Sequence, residues 1–120
     1  MKIKSSIIRD TLELTDNHGE VVKTLPFTIN VTKIAGEVQK KRIQLASTDP
    51  KDLEATGKTT VELFSLFFGE DNTKELLDFY ENDYATMIAD IVPYIVEYII
   101  PSFDRVQENI IKAKKGLKRG

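Results

Sequence analysis

The chain has 120 residues, no cysteine and a formal net charge of -2. That length accommodates one domain with its own core, and the lack of cysteine excludes disulfides and thiolate metal sites and fits a reducing cytoplasm. The balanced charge gives no overall attraction to nucleic acid, although Lys112, Lys114, Lys115, Lys118 and Arg119 make the last nine residues a basic tail without an acid.

In chain order, residues 5–30 read as a β-hairpin. Ile8, Leu12 and Leu14 alternate onto one face of the first strand, and Val21, Leu25, Phe27 and Ile29 onto one face of the second. Period-two alternation marks a half-buried strand. Asp16-Asn17-His18-Gly19 supplies the turn, because Asn, Asp and Gly accept positive φ. Pro26 removes a donor and points to an edge strand. The opening residues 1–6 are basic but lead into no apolar run, so no targeting segment is expected.

A helical body over 31–111 follows. Asn30 or Thr32 can cap the first helix, whose apolar side is Val31, Ile34, Ala35, Val38 and Leu45; Gly36 weakens it or marks close packing. Ser47-Thr48-Asp49-Pro50 ends it, and Asp49 is expected to cap a second helix with Pro50 at its first position. That helix carries Leu53, Val61, Phe64, Leu66, Phe67 and Phe68 and stops at Gly69. Asp71 or Asn72 is expected to cap a short third helix with Leu76, Leu77, Phe79 and Tyr80. Asn82-Asp83 then starts a long fourth helix interrupted at Pro93 and Pro101. The expected fold class is α+β in a single domain 1–120: the hairpin, three or four helices, and the basic tail 112–120.

The apolar arc of the fourth helix around Ile91–Ile100 is wider than one neighbouring helix would cover, which points to self-association as a homo-oligomer. The same window is the one membrane candidate. Asp90, Glu97 and two prolines inside it argue against a span.

Chemistry is hard to find. Thr56-Gly57-Lys58-Thr59-Thr60 copies the end of a phosphate-binding loop, but Asp52 stands where that loop needs its first glycine, and no buried strand precedes it. Asn30-Val31-Thr32 matches a glycosylation sequon and reads better as a helix cap. His18, the single histidine, is too few ligands for zinc and sits in a turn. The acids Glu70, Asp71, Asp78, Glu81 and Asp83 fit helix N-termini and a solvated face. The aromatics are not interleaved with Lys and Arg as a base-stacking surface would be. No catalytic residue, cofactor or metal is therefore expected. Phe64, Phe67, Phe68, Tyr80, Ile91, Ile95 and Ile99 have helical spacing suited either to a core or to anchoring a partner helix, and are the candidate partner-binding residues.

Three stretches carry a family resemblance: residues 10–23 (DTLELTDNHGEVVK), 61–74 (VELFSLFFGEDNTK) and 78–84 (DFYENDY), followed by the helix through Pro93 and Pro101. Together they resemble small tail assembly chaperones of tailed bacteriophages and prophages over most of the chain. The resemblance implies a non-enzymatic protein of the bacterial host cytoplasm. Its partner would be the tape measure protein, kept soluble while tail tube subunits polymerise around it, with the tail tube protein as a second candidate partner. It also implies a frameshifted longer form in many members, for which Lys114-Lys115 is a candidate position. Two rivals are a small adaptor or regulatory protein that contacts nucleic acid through its basic tail, and a small enzyme built on the acidic clusters or the Gly57-Lys58-Thr59 segment. Steep salt dependence of binding would mark the first, and thermal stabilisation by ATP or divalent cations the second.

Overall fold

The computed structural model describes residues 1–2 and 5–119; Ile3 and Lys4 of the basic opening and Gly120 of the basic tail lie outside the described residues. The architecture is α+β. Strands β1 (Ile7–Thr15) and β2 (Val21–Asn30) form an antiparallel two-stranded sheet, followed by α1 (Val31–Ser47), α2 (Leu53–Phe68) and α3 (Glu70–Phe79). A fourth, long helix has two segments, α4 (Tyr84–Tyr94) and α5 (Ile100–Arg119), joined by a π-helical turn over Ile95–Ile99.

The hairpin turn closes as its residues dictate. The Asp16 carboxylate accepts from the N–H groups of His18 (2.8 Å) and Glu20 (3.0 Å), and Gly19 takes φ +79°. Pairing runs from Ile7 opposite Asn30 to Leu14 opposite Lys23, and then slips, so that Thr15 faces Val21. Val22 is the extra residue of this bulge. The slip explains why Val21 does not join Leu25, Phe27 and Ile29 on the buried face but stays 49% exposed. Leu14 is buried beside them, with Ile8 and Leu12 packed at the margin.

Isolated hairpins are marginal in water, so this one needs a floor. Helix α2 supplies it. Phe27 of β2 meets Phe68 edge-on at 5.0 Å between ring centres. Phe68 also meets Phe64 (5.9 Å) and Phe67 (6.3 Å), and Phe67 reaches Phe103 of α5 at 5.7 Å. Edge-to-face geometry at these spacings suits the aromatic quadrupole and adds to the area term. Polar ties frame the cluster. Asn72 donates to the carbonyl oxygen of Pro26 at 2.8 Å, Lys23 pairs with Glu75, and Lys41 pairs with Glu62. Among the described residues no buried side-chain N or O atom lacks a partner; Thr60 and Thr73 donate to the carbonyls of Thr56 (2.7 Å) and Gly69 (2.8 Å).

Helix starts depart from expectation twice. The cap of α2 is Asp52, whose carboxylate accepts from Ala55 N–H (3.1 Å). Asp49 instead accepts from Lys51 N–H at 2.9 Å and shapes the turn one step earlier. The chain thus uses Asp49-Pro50 as an exit from α1, and Leu53 stays exposed. At α3 neither Asp71 nor Asn72 caps, because Gly69 at φ +88° both ends α2 and starts α3. Asn30 and Asp83 cap α1 and the long helix, accepting from Lys33 N–H and Thr86 N–H at 3.2 Å each.

Pro93 and Pro101 do not break the long helix. Pro101 cannot donate to Glu97, and its ring crowds that carbonyl. The helix widens between the prolines, with Ile100 N–H reaching Ile95. The buried residues Met87, Ile91, Ile95, Ile99 and Phe103 sit at strict four-residue spacing. In a regular α-helix such a stripe would rotate by about 40° per step; the wider turn holds it on one side. Its core residues therefore bury the apolar arc within the chain, while Val96 (58% exposed) and Tyr98 (61%) remain outside. This helix is long and apolar enough to cross a membrane by length and composition, but Met87, Ile91, Ile95, Ile99 and Phe103 are already committed to the core.

Two consequences are measurable. Ile95→Asp places an unpaired charge in the core and should cost about 4 kcal/mol or more, unfolding the chain, whereas Val96→Asp should stay within about 0.5 kcal/mol. Far-ultraviolet circular dichroism melts would separate them; equal melts would contradict the assigned faces.

The second concerns the Tyr94 hydroxyl, which donates to Asp10 at 2.7 Å and ties α4 to β1, as Tyr80 donates to Asp90 at 3.0 Å between α3 and α4. Burial, then the acceptor carboxylate, pushes Tyr80 up to about 12 and raises Tyr94 as well. The Tyr94 bond, then the Thr11 N–H, lowers Asp10. Both phenols hold their protons longer folded than unfolded. Their contribution is intact below the ordinary tyrosine value of 10 and is lost as pH rises through the folded values, toward 12 for Tyr80. Asp10 contributes above the ordinary aspartate range and loses that as pH falls through its lowered value. Tyr94→Phe should cost about 1 kcal/mol, about 4 °C in Tm at neutral pH. It should also flatten the alkaline fall seen in urea titrations at rising pH.

Candidate functional site: an apolar cleft and an uncovered helix face

Helices α1 and α5 leave a cleft of ≈ 630 Å³ between them, with the buried Val38 and Phe103 among its lining residues. Small residues on α1 make the trough. Ala35, Gly36 and Ala46 line one wall, and a side chain added at Gly36 would meet nothing within 4 Å. Gly36 therefore marks open space and not the close packing that its sequence position had offered as one reading. The opposite wall is Phe103, Val106, Ile110 and Ile111 of α5. Arg42 and Asp104 form an exposed ion pair across the cleft at 3.2 Å.

The apolar wall does not stop where the cleft stops. Phe103, Val106, Ile110, Ala113 and Leu117 recur at intervals of three and four, the spacing of a coiled-coil seam. Burial falls along it: Phe103 is 6% exposed, Ile110 47% and Leu117 81%. The long helix spans 36 residues, about 54 Å at 1.5 Å per residue, and sets the 58 Å long axis of the molecule. The radius of gyration is 16.7 Å, against about 14 Å for a compact chain of this length. The basic residues 112–119 thus extend α5 beyond the body as helix. Ile43 on α1, 61% exposed, completes an apolar surface facing solvent.

The residues singled out by sequence lie elsewhere. Phe64, Phe67, Phe68, Ile91, Ile95 and Ile99 are all buried in the core and offer no surface in the folded chain. Tyr80 is half-buried, its hydroxyl engaged by Asp90. The structure brings the three phenylalanines together with Phe27 and Phe103, so they hold the fold. The seam beyond the cleft was visible only as the continuation of the three–four spacing through Ala113 and Leu117, beyond the point where charge suggested a tail.

The other motifs resolve as local structure. Thr56–Thr60 lies inside α2, with Gly57 buried against Tyr84 of α4; its added side chain would sit 3.9 Å from that ring. A helix interior offers no free N–H groups to a phosphate. His18 is exposed in the hairpin turn. Glu70 and Asp71 occupy the first turn of α3, where the helix dipole favours them. Among the described residues no group of three or more His, Asp or Glu side chains is placed to hold a metal ion.

The outer part of α5 has no tertiary support, and Gly116 within it costs about 1 kcal/mol relative to alanine. Amide hydrogens of residues 112–119 should therefore exchange orders of magnitude faster than those of α2, and slow when the seam is covered. Uniform protection along the whole helix, read by mass spectrometry of the free protein, would contradict an uncovered seam.

Compared with family models, curated proteins and solved structures, the chain matches none.

Proposed function

We propose that the chain is a non-enzymatic assembly chaperone of a phage or prophage tail, which takes up an apolar helical segment of the tape measure protein in the α1–α5 cleft. The observation that carries this reading is the cleft itself: an open, mostly apolar trough that continues into an uncovered helical seam. Helix-in-groove recognition needs such a trough and anchors at three–four spacing, and needs no catalytic group. A tape measure segment bears an apolar stripe with nothing to cover it before the tube forms. The resemblance of residues 10–23, 61–74 and 78–84 to tail assembly chaperones supports the choice of partner.

The test is co-expression of the chain with a tape measure protein, the long protein of a phage tail. The pair should co-purify, and the long protein should move from the insoluble to the soluble fraction. Gly36→Leu is the informative variant. Leucine is about 0.5–1 kcal/mol more favourable than glycine in a helix, so the fold should gain stability while the side chain fills the trough. Loss of capture with an unchanged or raised Tm is the expected result. Unchanged capture by Gly36→Leu would move the binding surface off the cleft, and failure of the wild-type chain to solubilise the long protein would overturn the chaperone reading.

A further inference from the structure

The apolar arc around Ile91–Ile100, where the sequence pointed to self-association, lies largely in the core, because Ile91, Ile95 and Ile99 are buried. The seam of α5 offers a surface of another kind. From Val106 its apolar residues follow at intervals of four, three and four, at Ile110, Ala113 and Leu117. That spacing reads the same from either end. A second α5 laid antiparallel therefore meets each apolar residue with another: Val106 with Leu117 and Ile110 with Ala113, each pairing made twice. In every layer a larger side chain faces a smaller one, which suits interdigitation. The lengths agree as well. The wall of the cleft on α5 ends at Ile111, and the helix beyond it, 112–119, is about 12 Å long at 1.5 Å per residue. In an antiparallel pair this projecting part lies along 104–111 of the other copy, a stretch of the same length. Leu117, 81% exposed, then reaches Val106, which lines the cleft.

We propose that two copies of this chain pair through α5, antiparallel about a two-fold axis between Ile111 and Lys112, each copy covering the mouth of the other's cleft. Such a contact uses the same patch on both copies and closes on itself. The polar positions complement each other in this register. Beside the seam stand Gln107, Asn109, Lys114 and Gly116. Lys114 comes beside Gln107 of the second copy, whose amide oxygen accepts from an ammonium, and Asn109 comes beside Gly116. No like charges meet across the seam. Lys112 and Lys115 lie on the opposite side of the helix and stay in water. A parallel pair would set the cations of 112–119 level with one another and bring both bodies to the same end. The pair involves about ten residues a side, fewer than the ~20–30 of a standard interface, so a micromolar Kd is expected. This inference does not rest on the tape measure reading, although it uses the same surface: paired copies close the cleft to any other helix until they part.

The experiment uses the full chain. Sedimentation equilibrium from about 1 to 200 µM, a range that brackets the expected constant, should pass from monomer to dimer. Leu117→Asp, at an exposed position, should weaken the dimer by at least about tenfold with the circular dichroism melt of the body unchanged. Lys112→Ser, on the opposite side of the helix, should leave the constant within about twofold. Orientation is read by cross-linking, which is clean because the chain has no cysteine. In a glutathione redox buffer, a mixture of Ile110→Cys and Ala113→Cys chains should link one variant to the other in preference to itself, and the two variants differ in mass. Amide exchange of residues 112–119 should be fast in dilute solution and slow as the concentration rises through the Kd. A monomer throughout the range, a dimer indifferent to Leu117→Asp, equal weakening by Lys112→Ser, or linkage of each variant only to itself would each overturn the proposal. A monomeric chain that still captures the tape measure protein would overturn the pairing alone. A dimer of this register without that capture would leave the pairing standing and remove the chaperone reading.

Discussion

The constraint on which the rest of the molecule depends is that α2 supplies the apolar surface against which β2, α1, α3 and the long helix pack. The hairpin cannot stand alone, α3 is only ten residues long, and the long helix has a single buried stripe. Each becomes stable by laying its apolar side on Phe64, Phe67 and Phe68 or on residues beside them. Replacing any of these rings by alanine removes about 3–5 kcal/mol, a large part of what a domain of this size has to lose. The polar ties at the edges, Asn72 to Pro26 and Tyr94 to Asp10, are worth about 1 kcal/mol each. They choose among ways of seating the hairpin; the aromatic cluster decides that it is seated.

The long helix solves a second problem. A stripe of five buried residues at four-residue intervals is incompatible with a regular α-helix over that distance, since it would wind away from α2. Two prolines spaced eight residues apart, with a widened turn between them, keep the stripe facing inward. Beyond Phe103 the spacing returns to alternating threes and fours, and the seam turns from the core toward the cleft. Core packing and the exposed seam are thus written on one helix in two different periods, with Phe103 belonging to both.

Much of this was legible in the residues. Alternation in β1 and β2, the Asp16–Gly19 turn, Gly69 as a helix stop and Asp83 as a cap all express local chemistry, which a single sequence states directly. The failures share a cause: a local signal read correctly and overruled by the next element. Asp49-Pro50 is a sound helix start, but Asp52 follows within one turn and takes the cap. Val21 is an apolar strand residue, but the bulge at Val22 moves it out of the face it would have joined. Phe64, Phe67, Phe68, Ile91, Ile95 and Ile99 have the spacing of partner anchors and of core alike, and only the tertiary arrangement decides between them. The charge of residues 112–119 concealed a continuing helix, because Ala113 and Leu117 are two apolar residues among five cations.

A division of stability along the chain follows from these arrangements. The body is closed by aromatic packing with its buried polar groups satisfied, so it gains little from a partner. The outer turns of α5 have helix propensity, favourable terminal charge and an apolar seam, but nothing to bury it against. Such a segment stays near the margin of helix formation by itself. A partner helix that covers the seam contributes the missing burial and, at the same time, removes the fraying of residues 112–119. Part of the free energy of association is then used to order the segment that makes the contact, which lowers affinity below what the buried area alone would give. Tolerance to change is accordingly expected at the least stable end of the longest helix, so long as the three–four apolar spacing from Phe103 to Leu117 persists.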